Sequence, residues 1–172
     1  SEPDWLRRLD PDRPIVHVTQ GTLGLPGFDL VGAAVAALAS APAQIVVSGD
    51  PALVPPGADV IAPGWVPHDL LLPRTAVMIT NGGYGAVLSA LAHGVPLVVA
   101  PGAQDKPEVA RRVAWSGAGL SVGSRPSPAR LRRAVEACLG DSPTRRRAHE
   151  VAAEMERAGG ARRAAALVAA VA

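Results

Sequence analysis

Two adjacent glycines after a short apolar run point to the chemistry of this chain. The run covers residues 76–79, and Thr80-Asn81-Gly82-Gly83 ends it before a second apolar pattern over residues 84–93. The order predicts a buried strand, a tight turn and a helix. A helix that starts at such a turn aims unpaired N–H groups, and the positive end of its dipole, at whatever lies above the strand. A phosphate is the usual guest of that geometry. Gly82 and Gly83 let the backbone come close, Asn81 can hydrogen-bond an oxygen, and Tyr84 opens the helix. The same residues also suit a turn that needs glycine for sterics alone. Leu88 stands where a GxGxxG pattern needs its third glycine, and no GxxxxGK[ST] loop occurs, so a P-loop nucleotidase is disfavoured.

Other short clusters could work with this turn. Gly21-Thr22 follows the first predicted strand and offers a hydroxyl and N–H groups. Trp65 lies between Gly64 and Val66-Pro67, and a flat indole there could stack on a base, worth about 1–3 kcal/mol. It could equally plug the end of a sheet, since large aromatics are mostly buried. His68 suits a helix cap or a polar contact to the same ligand. In Gln104-Asp105-Lys106 a carboxylate beside an amide suits bidentate recognition of sugar hydroxyls. Asp105 also suits a cap for the helix that begins near Lys106, with Pro107 in its first turn. His17, His93 and His149 have no visible partner for a nucleophile or a metal, and no Ser-His-Asp or H-E-x-x-H arrangement is present.

The elements that must position these residues alternate. Strands are predicted over 15–19, 45–47, 60–61, 76–79, 96–100 and 119–122, with the β-branched run at 15–19 the clearest. Helices are predicted over 29–40, 84–93 and 106–116, with at most one turn over 67–73 between its prolines. After residue 122 the pattern is helical over 128–139, 143–158 and 161–171. Ser127-Pro128 and Ser142-Pro143 each place a cap residue before a first-turn proline. Strands alternating with helices predict an α/β fold, a Rossmann-like parallel sheet with helices on both faces and a helical C-terminal tail. Right-handed crossovers then bring the candidate loops, 20–27, 48–57, 62–67, 81–83 and 101–106, to one edge of the sheet. Residues 1–14, with three prolines, read as a linker or arm that Trp5 and Leu6 could pin to a surface, and 15–172 as the domain.

Bulk properties limit the function classes. A chain of 172 residues, 48% hydrophobic and 19% charged, is long enough for one domain with a sizeable core. A net charge of +2 is too small to argue for nucleic acid. The single Cys138 excludes an internal disulfide and disfavours a thiolate metal site; its spacing from Leu131, Ala134 and Val135 reads as core. No signal peptide or membrane-length apolar run is visible, which sets the cytoplasm as the default compartment.

Taken in order, VTQGT (18–22), GWVPH (64–68), TNGGYG (80–85), HGVPLVVAP (93–101) and QDKPEVARRVAWSGAG (104–119) resemble the C-terminal, donor-binding half of family 1 glycosyltransferases of GT-B type. The actinobacterial natural-product type is the best match. The resemblance spans residues 11–122 and the helical tail fits it. It implies that Gly21 and Thr22 contact the donor diphosphate, with Asn81, Gly82, Gly83 and Tyr84 forming the phosphate loop. It implies that Trp65 packs on the base, with Val66 offering backbone hydrogen bonds and His68 beside them. Gln104, Asp105 and Lys106 then face the donor sugar. The resemblance further implies a UDP- or TDP-sugar as donor, no metal or other cofactor, and a transfer to a natural-product hydroxyl that inverts the sugar.

Three positions depart from the family. Asn81 replaces a histidine that many members place against the phosphates, His68 a glutamine, and Lys106 the second residue of an Asp-Gln pair. Family members also carry an N-terminal domain that binds the acceptor and supplies the catalytic base. Nothing before Ile15 resembles it, so no catalytic base is expected in this chain, and the isolated chain is expected to bind nucleotide without transferring sugar. Two rival readings share the fold: a nucleotide-sugar epimerase of GT-B type, and a non-catalytic auxiliary partner of a transferase.

Overall fold

In the computed structural model, which describes residues 2–21 and 27–171, six strands form one all-parallel sheet. They are β1 (Ile15–Thr19), β2 (Gln44–Ser48), β3 (Ile61–Gly64), β4 (Thr75–Thr80), β5 (Leu97–Val99) and β6 (Gly119–Ser121), in the order β3-β2-β1-β4-β5-β6. The strands are apolar along nearly their whole length, as a sheet covered on both faces requires. On one face Val16, Val18, Ile45, Val47, Val77 and Ile79 pack under α2 (Leu30–Leu38) and α6 (Pro128–Cys138). On the other, Met78, Leu97 and Val99 pack under α4 (Tyr84–Ala92) and α5 (Lys106–Ser116), with Ala148 of α7 (Pro143–Ala158) behind them.

Local sequence explains where the helices start and stop. Asp29 accepts from the Gly32 N–H at 2.7 Å, Ser127 from Arg130 at 3.3 Å and Ser142 from Arg145 at 3.1 Å, each capping a helix start. Gly117 ends α5 in the left-handed conformation, φ 76°, where a Cβ would be strained. The arginines of α6 and α7 form exposed pairs, Arg132 with Glu136 and Arg147 with Glu150 and Glu154. Cys138 is buried in the core, and burial raises its thiol to about 11.

The predicted elements are present with small shifts of boundary. Residue 60 lies before β3, and the turn of helix predicted over 67–73 is α3 (His68–Leu71) followed by a 3-10 turn, Leu72–Arg74. Within residues 1–14, α1 (Asp4–Arg7) is a single turn. Leu6 and Leu9 are buried with Ile15, Val46, Val66 and Leu71, so this segment packs against the sheet. The last helix, α8 (Gly160–Val171), extends the tail. No helix among the described residues is long and apolar enough to cross a membrane.

Candidate functional site

β1 and β4 are neighbours at the point where the strand order reverses. Loops leaving their C-terminal ends diverge there and open a crevice. A cleft of about 1120 Å³ sits over this edge. Its floor is tied across the switch by Asn81, which is 3% exposed. The Asn81 Nδ2 donates to the Gln20 carbonyl, and its Oδ1 accepts from the Gly83 N–H at 3.1 Å. The Gln20 side chain is engaged too: Nε2 donates to the Phe28 carbonyl at 2.6 Å, and Oε1 accepts from the Leu30 N–H at 2.8 Å. Gly21, at φ 75°, has room for no side chain, because a Cβ would lie 2.8 Å from Asn81 Nδ2.

Beyond this tie, α4 begins without a side-chain cap. Its first ladder bond runs from the Val87 N–H to the Gly83 carbonyl. The N–H groups of Tyr84, Gly85 and Ala86 have no acceptor among the described residues, and all three residues line the cleft. A Cβ at Gly85 would meet nothing within 4 Å. This is the anion-binding end of a helix opening on a cavity.

The opposite wall is the end of β2 and the loop after β3. The Gly49 N–H donates to the Gly64 carbonyl at 2.8 Å, which closes the two strand ends together. Trp65 stands 78% exposed on the cleft wall. It therefore does not plug the sheet, and its indole face is available for stacking. Val66 turns its side chain into the cluster of Leu6 and Leu71 and lines the cleft as well. Behind them His17 is buried in β1. Its Nε2 lies 2.8 Å from Ser48 Oγ, its ring meets His68 edge-on with centroids 5.5 Å apart, and its Nδ1 has no partner among the described residues. Burial, with His68 adding to it, lowers the His17 pKa to about 3, so the ring is neutral. Burial also lowers His68.

The third wall is the start of α5. Gln104 holds a left-handed backbone at φ 66°, the one described non-glycine residue to do so, a strain of about 1 kcal/mol or more of the kind that gathers at functional loops. Asp105 occupies the N-cap position yet makes no side-chain cap bond, which leaves its carboxylate open to the cleft. Lys106 lines the cleft while only 8% exposed.

The structure thus gathers Gly21, Trp65, Val66, His68, Asn81, Gly83, Tyr84, Gln104, Asp105 and Lys106 around one cleft. Gly82 is not on its wall. It lies behind the turn at φ 84°, where a Cβ would press on Val99 and on Lys106. Thr22 lies outside the described residues. Ser48, Gly49, Asp50 and Gly85 also line the cleft. The first three fall in the predicted edge loop 48–57 and Gly85 in the first turn of α4, but no residue type among them singles itself out in the sequence. Among the described residues, no group of three His, Cys, Asp or Glu side chains could hold a metal ion.

The model of the family described as erythromycin biosynthesis protein CIII-like, C-terminal domain, matches residues 33–165. The chain is 47% identical over 144 residues to 4'-demethylrebeccamycin synthase of Lentzea aerocolonigenes, covering 82% of this chain and 34% of that protein. Among solved structures it is similar to CalG4, the calicheamicin glycosyltransferase, with a TM-score of 0.82 and 34% identity over 94% of this chain and 44% of that one. It is also similar to the glycosyltransferase VinC in complex with dTDP, with a TM-score of 0.72 and 30% identity over 90% of this chain and 40% of that one. The chain spans about a third of the length of the curated relative and under half of each solved chain. Motifs, strand order and these likenesses agree, and the chain belongs to the erythromycin biosynthesis protein CIII-like C-terminal domain family, the C-terminal half of GT-B glycosyltransferases of the actinobacterial natural-product type.

Proposed function

We propose that this chain is the donor-binding domain of a glycosyltransferase that moves a sugar from a UDP- or TDP-sugar to a hydroxyl of a small-molecule natural product, with inversion. The observation that carries the reading is the uncapped start of α4 facing an exposed Trp65 across one cleft. The base stacks on Trp65 beside Val66 and His68. The diphosphate lies over Gly21 and the Asn81–Tyr84 turn, with Gly82 shaping that turn from behind. The sugar faces Gln104, Asp105 and Lys106. No metal is needed, because helix dipole and N–H donors meet the developing charge.

An N-terminal domain or partner subunit binds the acceptor and supplies the base that takes its proton, in the cytoplasm. The share of each relative that this chain spans supports that division. The solved relatives are named as glycosyltransferases, which favours this reading over an epimerase or an auxiliary partner. Calorimetric titration of the chain with UDP, dTDP and GDP tests it. Saturable binding of at least one, with quenching of Trp65 fluorescence, is expected, and no binding of any would overturn it.

A further inference from the structure

A nucleoside diphosphate brings at least two negative charges into the cleft, and the wall offers little to meet them. Its permanently charged residues are Asp50, Asp105 and Lys106. Lys106 is therefore the one permanent cation on the wall among the described residues. As a residue it is 8% exposed, and its ammonium makes no ion pair or hydrogen bond among those residues. Glu108, two residues along α5, is already taken by Arg111 and Arg112. Lys106 also stands in the first turn of α5, where the helix dipole disfavours a positive charge. A cation on the wall of a cleft, with no counter-ion among the described residues, favours an incoming anion.

The position says which anion. A Cβ placed at Gly82 would lie 3.3 Å from the Lys106 carbonyl oxygen and 3.4 Å from its Cβ. Lys106 thus backs directly onto the glycine turn at the start of α4. Asn81 cannot serve as a substitute charge, since its amide is neutral and is already bonded to Gln20 and Gly83.

We infer that Lys106, besides facing the sugar with Gln104 and Asp105, supplies the counter-charge for the donor's diphosphate and stabilises it as leaving group. This rests on the donor-binding reading and deepens it. In the transfer, the bond from the sugar's anomeric carbon to the terminal phosphate oxygen breaks, and its electron pair stays on that oxygen. The acceptor hydroxyl oxygen bonds the same carbon, and its proton passes to the base outside this chain. One negative charge is added to the phosphate, beside the Lys106 ammonium.

The test compares the wild type with Lys106→Gln and Lys106→Arg by calorimetry, using dTDP, UDP, the uncharged nucleosides thymidine and uridine, and UDP-glucose. Lys106→Gln should weaken the diphosphates by about tenfold or more, as loss of a charge-assisted contact does, while nucleoside binding changes little. Lys106→Arg should retain most of the affinity. Without ligand, Lys106→Gln should leave melting close to the wild-type temperature; a purely structural lysine would lower it. Equal losses for nucleoside and diphosphate, or a loss confined to UDP-glucose, would overturn the inference and leave the donor site standing. A wild type that binds none of the diphosphates would overturn both.

Discussion

Asn81 and Gln20, 61 residues apart in the chain, are joined by a hydrogen bond from the Asn81 amide to the Gln20 carbonyl across the switch point of the sheet. The bond ties the first strand's exit to the turn before α4, and through the Gln20 side chain to the start of α2. It gives Asn81 a positioning role in place of the charge a histidine would bring. Asn81→Ala strands a buried carbonyl and the Gly83 N–H, which should cost about 1–3 kcal/mol. At roughly 2–4 °C per kcal/mol, thermal melting should fall by several degrees. An unchanged melting temperature would mean the tie carries no stability.

Trp65 carries the opposite balance. Because it is exposed, Trp65→Ala should leave melting within about a degree and weaken nucleotide binding by the ~1–3 kcal/mol of a stacked base. A drop in melting with unchanged binding would return Trp65 to a packing role.

Asp105 separates sugar from nucleotide. It makes no cap bond, so Asp105→Ala should barely affect folding. Calorimetry should show it weakening UDP-glucose far more than UDP. Equal losses for the two ligands would remove Asp105 from the sugar contact.

His17 predicts a pH dependence of stability. Its pKa is lowered in the fold to about 3, so between pH 6.5 and about 3 the unfolded chain binds the proton and the folded chain does not. Stability is therefore full above pH 6.5 and is lost as pH falls, by up to about 1.4 kcal/mol per pH unit from this group. The lowered His68 acts in the same direction. His17→Gln, which keeps a polar group near Ser48 Oγ, should flatten the fall in melting temperature between pH 7 and 5. A slope unchanged by the substitution would show that another group governs it.

Much of this was legible in the sequence because period and punctuation agree. The β-branched run at β1 and the Ser-Pro starts of α6 and α7 state their elements locally. Trp65 remained open between platform and plug, since a single aromatic does not reveal which side of a strand end is wet. Asn81 read as a ligand contact because its structural partner, Gln20, is set by the pairing of β1 with β4 and not by any nearby residue. The His17, Ser48 and His68 cluster was invisible for the same reason: they come from β1, β2 and α3. Lys106 looked like a substituted sugar residue, and its burial against the Gly82 turn appears only once α5 is packed beside α4.

The most direct measurement is an amide and indole NMR titration of the chain with the nucleoside diphosphate that binds. Shifts concentrated at Tyr84, Gly85 and Ala86, at the Trp65 indole and at Lys106 are expected, since these would surround the bound base and diphosphate. Saturable binding whose shifts lie away from the start of α4 would contradict the site.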